Sequence, residues 1–377
     1  MALVDICDVL VVGGGMAGVS IACELAADRR VLVADMEHTL AYHTTGRSAA
    51  MFLETYGSAA IRALTAASRA YLESPPEGEQ LLSPLAMLYV ARPGSAPAIA
   101  ELHRQVSALT PDATLLDGDE AVAVQPLLRP GRIELALLEP AAMAIDVHAM
   151  HQAFIRTLRA RGGSIAVDAS VAAAAWSDGR WTVTMTDGRP VSAGVVVNAA
   201  GAWADQVAGR FGATPAGLRP LRRSAFMVDA PPGVTGPMID DIDEAFYVKP
   251  DAGRLLCSPS EETPQEPGDA KPDELEIARA IEVINEVTTL DVRSIRTPWA
   301  GLRSFVADRN PVVGYDPAVE NFFWFAGQGG YGIQTAPALS RTGAALLRGD
   351  PPPADALARG LAIADLSPGR AIRPTTH

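Results

Sequence analysis

Two glycine-rich turns, one near each end of the 377-residue chain, constrain its fold more than any other feature. The first, GGGMAG, follows an apolar run at 8–12 and opens an apolar helix predicted over 17–27. A second β run ends at Asp35, which completes a β-turn-α-β unit of the dinucleotide-binding kind. The other turn, GQGGYGIQ, follows FFWFA close to the C-terminus. A nicotinamide nucleotide needs no second contact so late in the chain, whereas a flavin, whose ring lies far from its adenosine, does.

The first turn and the loop after it supply the predicted contacts to the adenosine and pyrophosphate. Glycines let the backbone approach a pyrophosphate, whose charge the N-terminus of the next helix stabilises. Asp35 is placed to accept a hydrogen bond from a ribose hydroxyl, and Thr45, Arg47 and Ser48 can donate to the pyrophosphate or ring. An ordinary capped helix is the alternative for that loop. The contacts predicted here are Gly13, Gly15, Met16, Ala17, Gly18, Asp35, Thr45, Gly46, Arg47, Ser48, Ala49 and Ala50.

The rest of the pattern predicts two interleaved domains. Helices are predicted over 59–72, 96–109, 147–161, 273–287 and 335–347, and strands cluster at 164–197 and 225–256. The predicted fold class is α/β, with a Rossmann-like FAD-binding domain and an inserted β-rich (α+β) substrate-binding domain. The first comprises residues 1–80, 141–217 and 298–377, and the second 81–140 and 218–297. The proline-rich tail after Leu347 is expected to be poorly ordered.

Composition excludes several classes of function. A net charge of −13 argues against nucleic acid or an anionic membrane as partner. Three cysteines without CxxC spacing and six histidines without HExxH spacing predict neither a disulfide framework nor a metal site. Without a basic n-region or ~18 consecutive apolar residues, the chain is expected to lack an integral membrane segment and to be cytoplasmic. No Ser-His-Asp signature occurs, so the chemistry is expected to belong to a cofactor.

A set of motifs from Val9 to about Pro337 resembles one enzyme superfamily. In chain order they are GGGMAG, YHTTGRSAA, RALTAASRAYL, VVNAAGAWAD, RRSAF, FYVKPDAG, WAGLRSFVAD and GQGGYGIQTAP. Together they resemble the FAD-dependent D-amino-acid oxidase superfamily, in its glycine oxidase and D-amino-acid dehydrogenase branch, and most of all D-arginine dehydrogenase-like proteins. The resemblance implies noncovalent FAD, a D-amino acid as small-molecule substrate bound through its carboxylate, and oxygen or a quinone as electron acceptor.

The resemblance also assigns roles to residues. It implies that Arg303 and Arg223 hold the substrate carboxylate and that Tyr247 hydrogen-bonds it. It further implies amine and ring placement by the Gly330 carbonyl and Gln334, a mobile gate at Tyr56, and backbone contact from Val171 to the adenine. The remaining implied cofactor contacts are Ala200, Gly201, Trp203, Gly301, Arg303, Gly329, Gly330, Tyr331, Gly332, Ile333 and Gln334.

The residue chemistry agrees with the two arginine assignments. A planar arginine fork suits bidentate capture of a carboxylate and is always charged. A structural ion pair is the alternative for each arginine, and Arg222 could take the role of Arg223.

One departure from the D-arginine group bears on the substrate. That group carries an acid for the guanidinium in the strand after LLSP, where this chain has Met87 and no carboxylate nearby in sequence; Met51 replaces a polar residue after SAA. Two methionines predict an apolar, adaptable pocket, although both could be core residues. The expected activity is oxidative deamination of D-amino acids with apolar or uncharged side chains to 2-oxo acids and ammonia, through an imino acid. Met87→Glu is expected to raise D-arginine turnover relative to apolar substrates.

Three other functions share parts of this pattern. A secondary-amine oxidase of the sarcosine or N-methyl amino-acid type has the same cofactor motifs and differs only in the pocket. An NAD-dependent dehydrogenase lacks the C-terminal glycine turn. A non-catalytic flavoprotein binds the flavin but is not reduced by any amine.

Overall fold

The computed structural model describes residues 5–76 and 78–370. Its α-helices are α1 (Met16–Leu25), α2 (Ala59–Glu73), α3 (Ala96–Val106), α4 (Gly118–Val124), α5 (Val147–Ala160), α6 (Ala204–Arg210), α7 (Glu274–Val287), α8 (Gly332–Arg348) and α9 (Ala354–Ala358). Its strands are β1 (Asp5–Val12), β2 (Val31–Ala34), β3 (Met51–Phe52), β4 (Leu82–Pro84), β5 (Met87–Ala91), β6 (Thr114–Asp117), β7 (Leu135–Glu139), β8 (Met143–Ile145), β9 (Ser164–Ala166), β10 (Val171–Ser177), β11 (Arg180–Met185), β12 (Pro190–Asn198), β13 (Arg219–Asp229), β14 (Met238–Asp241), β15 (Tyr247–Asp251), β16 (Arg254–Ser258), β17 (Thr263–Pro264), β18 (Arg296–Phe305), β19 (Val312–Tyr315) and β20 (Phe322–Ala326).

The first sheet is the parallel sheet that the N-terminal unit predicts. Strands β9, β2, β1, β12 and β20 run parallel in that order, and the β10–β11 hairpin continues from the other half of β12. Val9 and Val11 face the side covered by α1, α2, α5 and α8, while Leu10 and Val12 face the side that holds α6 and β11. Because both faces are covered there, β1 is apolar and buried from Val9 to Val12, and β2 is so along its whole length. The carboxyl ends of β1, β2 and β12 therefore meet at one edge.

The second sheet is mostly antiparallel. Its order is β6-β7-β5-β14-β15-β16-β13-β18, with β17 also on β13, and β5–β14 is its parallel pair. Val248 and Phe226 lie on the face that packs against α7. Met87, Met238 and Tyr247 lie on the opposite face. Alternation of side chains along each strand separates the two faces.

The domain boundaries predicted from the sequence stay a prediction, and one of them falls inside a strand. The boundary at residue 298 cuts β18, which pairs with β13 of the second sheet along most of its length. We therefore propose that the boundary lies after Phe305. The short sheet β3-β8-β4 joins the two parts, because β4 and β8 come from segments assigned to different domains.

The expectation of a poorly ordered tail is wrong for residues 349–370. Helix α9 lies in this stretch, and Leu361 and Leu366 are buried against the first sheet's helices. Arg370 pairs with Asp308 at 2.7 Å. Burial of these apolar side chains stabilises the segment. The proline content on which the expectation rested gives no information about such burial. Residues 371–377 of the predicted tail lie outside the described residues.

The described helices include none that combines the length and the hydropathy needed to cross a membrane.

Candidate active site

A cleft of about 410 Å³ runs from the GGGMAG turn to the second sheet. It begins at the carboxyl ends of β1 and β2 and ends beside β15 and β18. The predicted residues that line it are Gly13, Gly15, Met16, Ala17, Asp35, Thr45, Arg47, Ser48, Ala49, Val171, Ala200, Gly201, Trp203, Arg223, Tyr247, Gly301, Arg303, Gly329, Gly330, Gly332 and Ile333. Those that lie outside this lining are Gly18, Gly46, Ala50, Met51, Tyr56, Met87, Tyr331 and Gln334. Both glycine turns thus open into one cleft.

The glycine turn at the start of α1 is closely packed against its surroundings. A Cβ on Gly18 would lie 1.7 Å from the carbonyl oxygen of Gly13. Gly13 itself has a φ of 108° and would place a Cβ 2.4 Å from the Ala199 carbonyl oxygen. Helix α1 begins after Gly15, which offers no side-chain cap. The Met16 N–H is taken by the Thr45 hydroxyl, and the N–H groups that follow it are available to an anion in the cleft.

Asp35 and Thr45 are positioned by this turn. Asp35 accepts the Gly14 N–H at 2.5 Å through one oxygen and the Glu37 N–H at 2.8 Å through the other. A carboxylate has further lone pairs, so acceptance from a ribose hydroxyl remains compatible with this geometry. The Thr45 hydroxyl accepts the Met16 N–H at 3.0 Å. The loop that follows β2 is therefore tied to the start of α1.

Arg47 connects this loop to the second sheet. Its guanidinium donates to the Ala300 carbonyl at 2.8 Å and to Asp269 at 2.6 Å. Most of its donors are thereby engaged within the protein. Contact between Arg47 and the pyrophosphate stays a prediction. In the structure, Arg47 links the loop after β2 to the second sheet.

His151, on α5, contacts the glycine turn and was missed by the sequence argument. It is buried, and its Nε2–H donates to the Gly14 carbonyl at 2.9 Å. Burial lowers the pKa of His151, which favours the neutral imidazole. The helical periodicity of α5 places His151 on its buried face, but nothing in the sequence joins it to Gly14.

We expect His151→Leu to weaken cofactor binding about tenfold. It leaves the buried Gly14 carbonyl without its donor, which costs roughly 1–3 kcal/mol. Titration of the apoprotein with FAD measures this. His151→Gln, which keeps a donor, is expected to recover most of the affinity, and the exposed His148→Leu on the same helix serves as the control. Equal affinities for His151→Leu and the wild type would contradict the prediction.

At the other end of the cleft, Arg303 has no hydrogen-bond or ion-pair partner in the part of the chain that the structure describes. Among the described residues, no hydrogen bond or ion pair reaches its guanidinium. Gly330 lies against it, because the Gly329 N–H donates to the Ser304 carbonyl of β18 at 3.0 Å. A half-buried guanidinium without an anion is costly, so this geometry favours an anionic ligand.

The Arg303 guanidinium fits against residue 330 because this residue is a glycine and has no side chain. A Cβ there would lie 3.1 Å from the guanidinium carbon. We expect Gly330→Ala to displace Arg303 by a few tenths of an ångström and to lower kcat/KM about tenfold, since positioning errors of this size weaken charge-assisted hydrogen bonds. Gly268→Ala, at an uncrowded loop position, is the control. Steady-state kinetics at unchanged flavin content makes the comparison, and an unaltered kcat/KM would refute the crowding argument.

Arg223, rather than Arg222, lines the cleft. Arg222 pairs with Asp273 at 2.6 Å on the other side of β13. Arg223 donates to the Glu261 carbonyl at 2.9 Å and lies 3.5 Å from Glu262. Burial, and then the positive charge of Arg303, lower the pKa of Arg223. The cleft thus contains two neighbouring arginines.

Glu262 compensates Arg223 only weakly. Arg309 holds the Glu262 carboxylate with two hydrogen bonds of 2.8 and 2.9 Å. The 3.5 Å contact to Arg223 is at the limit of a hydrogen bond. Positive charge therefore remains at this end of the cleft and favours an anion.

Aromatic and amide groups surround the arginines. Tyr56 and Tyr331 are in edge-to-face contact with ring centroids 5.0 Å apart. The side-chain oxygen of Gln334 accepts the Leu53 N–H at 3.1 Å, while its buried Nε2 has no partner within the described chain. Gating by Tyr56 and placement of the amine by Gln334 stay predictions.

The two methionines lie in one apolar cluster with Tyr247 and Ala225, which line the cleft. The expectation that no carboxylate lies near Met87 is wrong for the folded chain, because two carboxylates lie near it. On one side, Met87 lies opposite Glu139 of β7. On the other side it lies opposite Met238 of β14, and Asp240 follows Met238 by two residues on that strand. Strand pairing brings these distant segments together, which sequence proximity cannot report.

Comparison with known proteins gives a family match and several similar folds. The family model described as FAD dependent oxidoreductase (DAO) matches residues 8–346. Glycine oxidase from Geobacillus kaustophilus has a TM-score of 0.83 at 21% identity, covering 98% of this chain and 100% of that one. L-proline dehydrogenase from P. horikoshii has a TM-score of 0.80 at 20% identity, covering 97% and 98%. L-amino acid deaminase from Proteus vulgaris has a TM-score of 0.81 at 15% identity, covering 98% of each chain.

A curated relative is similar over a shorter stretch. FAD-dependent oxidoreductase domain-containing protein 1 from Bos taurus is 30% identical over 171 residues, which cover 41% of this chain. The matched stretch is 35% of that relative's length.

Proposed function

The chain belongs to the FAD-dependent oxidoreductase (DAO) family, and from that premise we propose that it oxidises the α-amine of D-amino acids. The first product is an imino acid, which hydrolyses to a 2-oxo acid and ammonia. The observation that carries the proposal is the Arg303 guanidinium, which lies in the cleft and meets no hydrogen-bond or ion-pair partner among residues 5–76 and 78–370. The carboxylate of an amino acid is the partner that this group lacks.

FAD is the cofactor of this family, and the cleft fits it. The Gly13–Gly18 contact leaves no room for side chains beneath a pyrophosphate, and the N–H groups that follow Met16 at the start of α1 are available to its charge. Asp35 is available to the ribose. Near the second glycine turn, the buried Nε2 of Gln328 lacks a partner among the described residues and can donate to the ring. When bound, FAD supplies the two-electron acceptor for the hydrogen on the substrate α-carbon.

Substrate binding begins with carboxylate capture. Arg303 presents a planar fork that suits two parallel hydrogen bonds to the carboxylate, and Arg223 adds a second positive charge. Tyr247, buried at the same end of the cleft, is placed to donate its hydroxyl. These three contacts fix one end of the substrate, so the α-carbon is held at a defined depth in the cleft.

The arginines also act on the substrate amine. Two adjacent cations disfavour a positively charged ammonium and therefore promote loss of its proton, which the oxidation requires. In this proposal the Gly330 carbonyl accepts an N–H from the neutral amine and orients its lone pair. This mechanism uses positioning and electrostatics and assigns no separate general base.

A secondary-amine oxidase is the second candidate. It is supported by the similarity of the fold to proteins described as L-proline dehydrogenase and as iminodiacetate oxidase, at 20% and 21% identity. The cofactor half of the cleft is common to both candidates, so the pocket beyond the α-carbon decides between them. Arg303 serves both, since each substrate carries a carboxylate.

Anaerobic mixing of the purified protein with individual D-amino acids, L-amino acids and N-methylglycine tests the proposal. Loss of the visible flavin band with D-amino acids, but not with their L-enantiomers, is the expected result. Bleaching by N-methylglycine alone supports the secondary-amine alternative. A band that no amine bleaches means that the proposed function is wrong.

A further inference from the structure

We propose that Asp240 determines the substrate side chain by binding a cationic hydrogen-bond donor, so that the preferred D-amino acids are basic ones such as D-lysine or D-arginine. This inference rests on the proposed function, because it concerns the sheet face beside Tyr247, which lines the cleft, although Asp240 itself lies just outside the lining. It also replaces the expectation of an apolar side chain, which depended on the absence of a carboxylate near Met87.

Strand register places Asp240 on the face of the second sheet that borders the cleft. On β14 it lies directly opposite Tyr247 of β15, whose side chain lines the cleft. On the other side it lies opposite Tyr89 of β5. Residues directly opposite in a sheet share a face, with Cβ atoms about 5 Å apart. Asp240 is therefore next to the group that is predicted to bind the substrate carboxylate.

The same register connects Asp240 to the methionines. Met238 precedes Asp240 by two residues and so points to the same face. It lies opposite Met87 and belongs to the apolar cluster that also contains Met51. This face of the sheet, next to the cleft, therefore combines an apolar stretch with one acidic group, which suits a side chain of methylene groups that ends in a cation.

The Asp240 carboxylate lacks a partner within the described chain, since no hydrogen bond or ion pair reaches it. Burial raises the pKa of Asp240 to about 7, and the charges of Arg223 and Arg303 act in the opposite direction. Glu244 and Asp241 raise it further. The ionised form is thus costly until a cation arrives, and the substrate carboxylate would take up the arginine charge.

Glu139 is the other carboxylate near Met87, but it is already satisfied. The Thr55 hydroxyl lies 2.8 Å from both of its oxygens, and burial raises its pKa. Glu139 therefore has a local partner, whereas Asp240 does not. Asp240 is the acid that remains for a ligand.

The first test compares D-lysine with D-norleucine, which has the same aliphatic chain without the terminal amine. In the wild type, kcat/KM is expected to favour D-lysine. Asp240→Asn is expected to lower the D-lysine to D-norleucine ratio about 30-fold, the size of a charge-assisted hydrogen bond, with D-norleucine turnover retained. Glu244→Gln, which removes a nearby exposed acid, is the control and should leave the ratio unchanged. An unchanged ratio in Asp240→Asn overturns the inference.

The second test needs no turnover and separates this inference from the proposed function. 6-Aminohexanoate and hexanoate are D-lysine and D-norleucine without the α-amine, and binding of either to the holoenzyme can be followed by perturbation of the flavin spectrum. Tighter binding of 6-aminohexanoate in the wild type, lost in Asp240→Asn, supports the role of Asp240 even if no D-amino acid is oxidised. Equal binding of the two acids overturns it, even if D-amino acids are oxidised.

Discussion

Arg303→Ala is expected to lower kcat/KM about 10³-fold. The guanidinium has no partner among the described residues and lies in the cleft, so the substrate carboxylate would be its counter-ion. Removing one member of a buried charge pair costs about 2–5 kcal/mol, and each ~1.4 kcal/mol corresponds to a factor of ten. Anaerobic stopped-flow reduction of the flavin measures the change. Arg303→Lys is expected to recover only part of the loss, because an ammonium lacks the planar fork.

Arg296→Ala is the matched control on the same strand. Arg296 is exposed and pairs with Asp229 at 2.9 Å, an ion pair of little energetic value. We expect its kcat/KM to stay within about twofold of the wild type, as is usual for such surface pairs. If Arg303→Ala retained normal kcat/KM with full flavin content, the carboxylate role of Arg303 would be wrong, and with it the proposed mechanism.

Gly18→Ala is expected to yield protein with little FAD. The added Cβ would lie 1.7 Å from the Gly13 carbonyl oxygen, a distance that only movement of the backbone can relieve. Such movement shifts the start of α1 away from the pyrophosphate. We expect at least about 10²-fold weaker FAD binding, equivalent to about 2.7 kcal/mol. The ratio of visible flavin absorbance to protein absorbance, followed by FAD titration, measures the loss.

Gly209→Ala provides the control for this change. Gly209 lies in the helix α6, and no atom within 4 Å would meet its Cβ. This variant should therefore bind FAD normally. Circular dichroism distinguishes loss of cofactor from loss of fold. A folded Gly18→Ala protein with full FAD content would contradict the role given to the Gly13–Gly18 turn in binding the pyrophosphate.

The two variants act at opposite ends of one cleft, which depends on the meeting of two sheets. The first sheet contributes its strand ends and α1, and the second contributes β13, β15 and β18. Arg47 joins them, since it belongs to the loop after β2 and donates to the Ala300 carbonyl of β18. The position of the cofactor half of the cleft relative to its substrate half therefore depends on hydrogen bonds between the two sheets, such as the one made by Arg47.

The sequence by itself determined the cofactor half. The elements of the GGGMAG unit are contiguous, so the turn, α1 and Asp35 could be placed from local pattern. Helix α2 was predicted over 59–72 and spans Ala59–Glu73, and α5 was predicted over 147–161 and spans Val147–Ala160. Apolar periodicity and the residues at helix ends act within a few turns of chain, which is why these bounds were accurate.

Only the tertiary structure decided the substrate half. Whether Arg222 or Arg223 faces the cleft depends on which face of β13 is covered, and a strand alternates its side chains regardless. Met87, Asp240 and Tyr247 come from three strands whose register is set by packing between distant segments. A shift of one residue in that register would turn Asp240 to the opposite face. Local sequence pattern determines whether a segment is a helix or a strand, whereas long-range pairing determines which side chains meet. The position of Asp240 beside Tyr247 and near Met87 was therefore visible only in the folded chain.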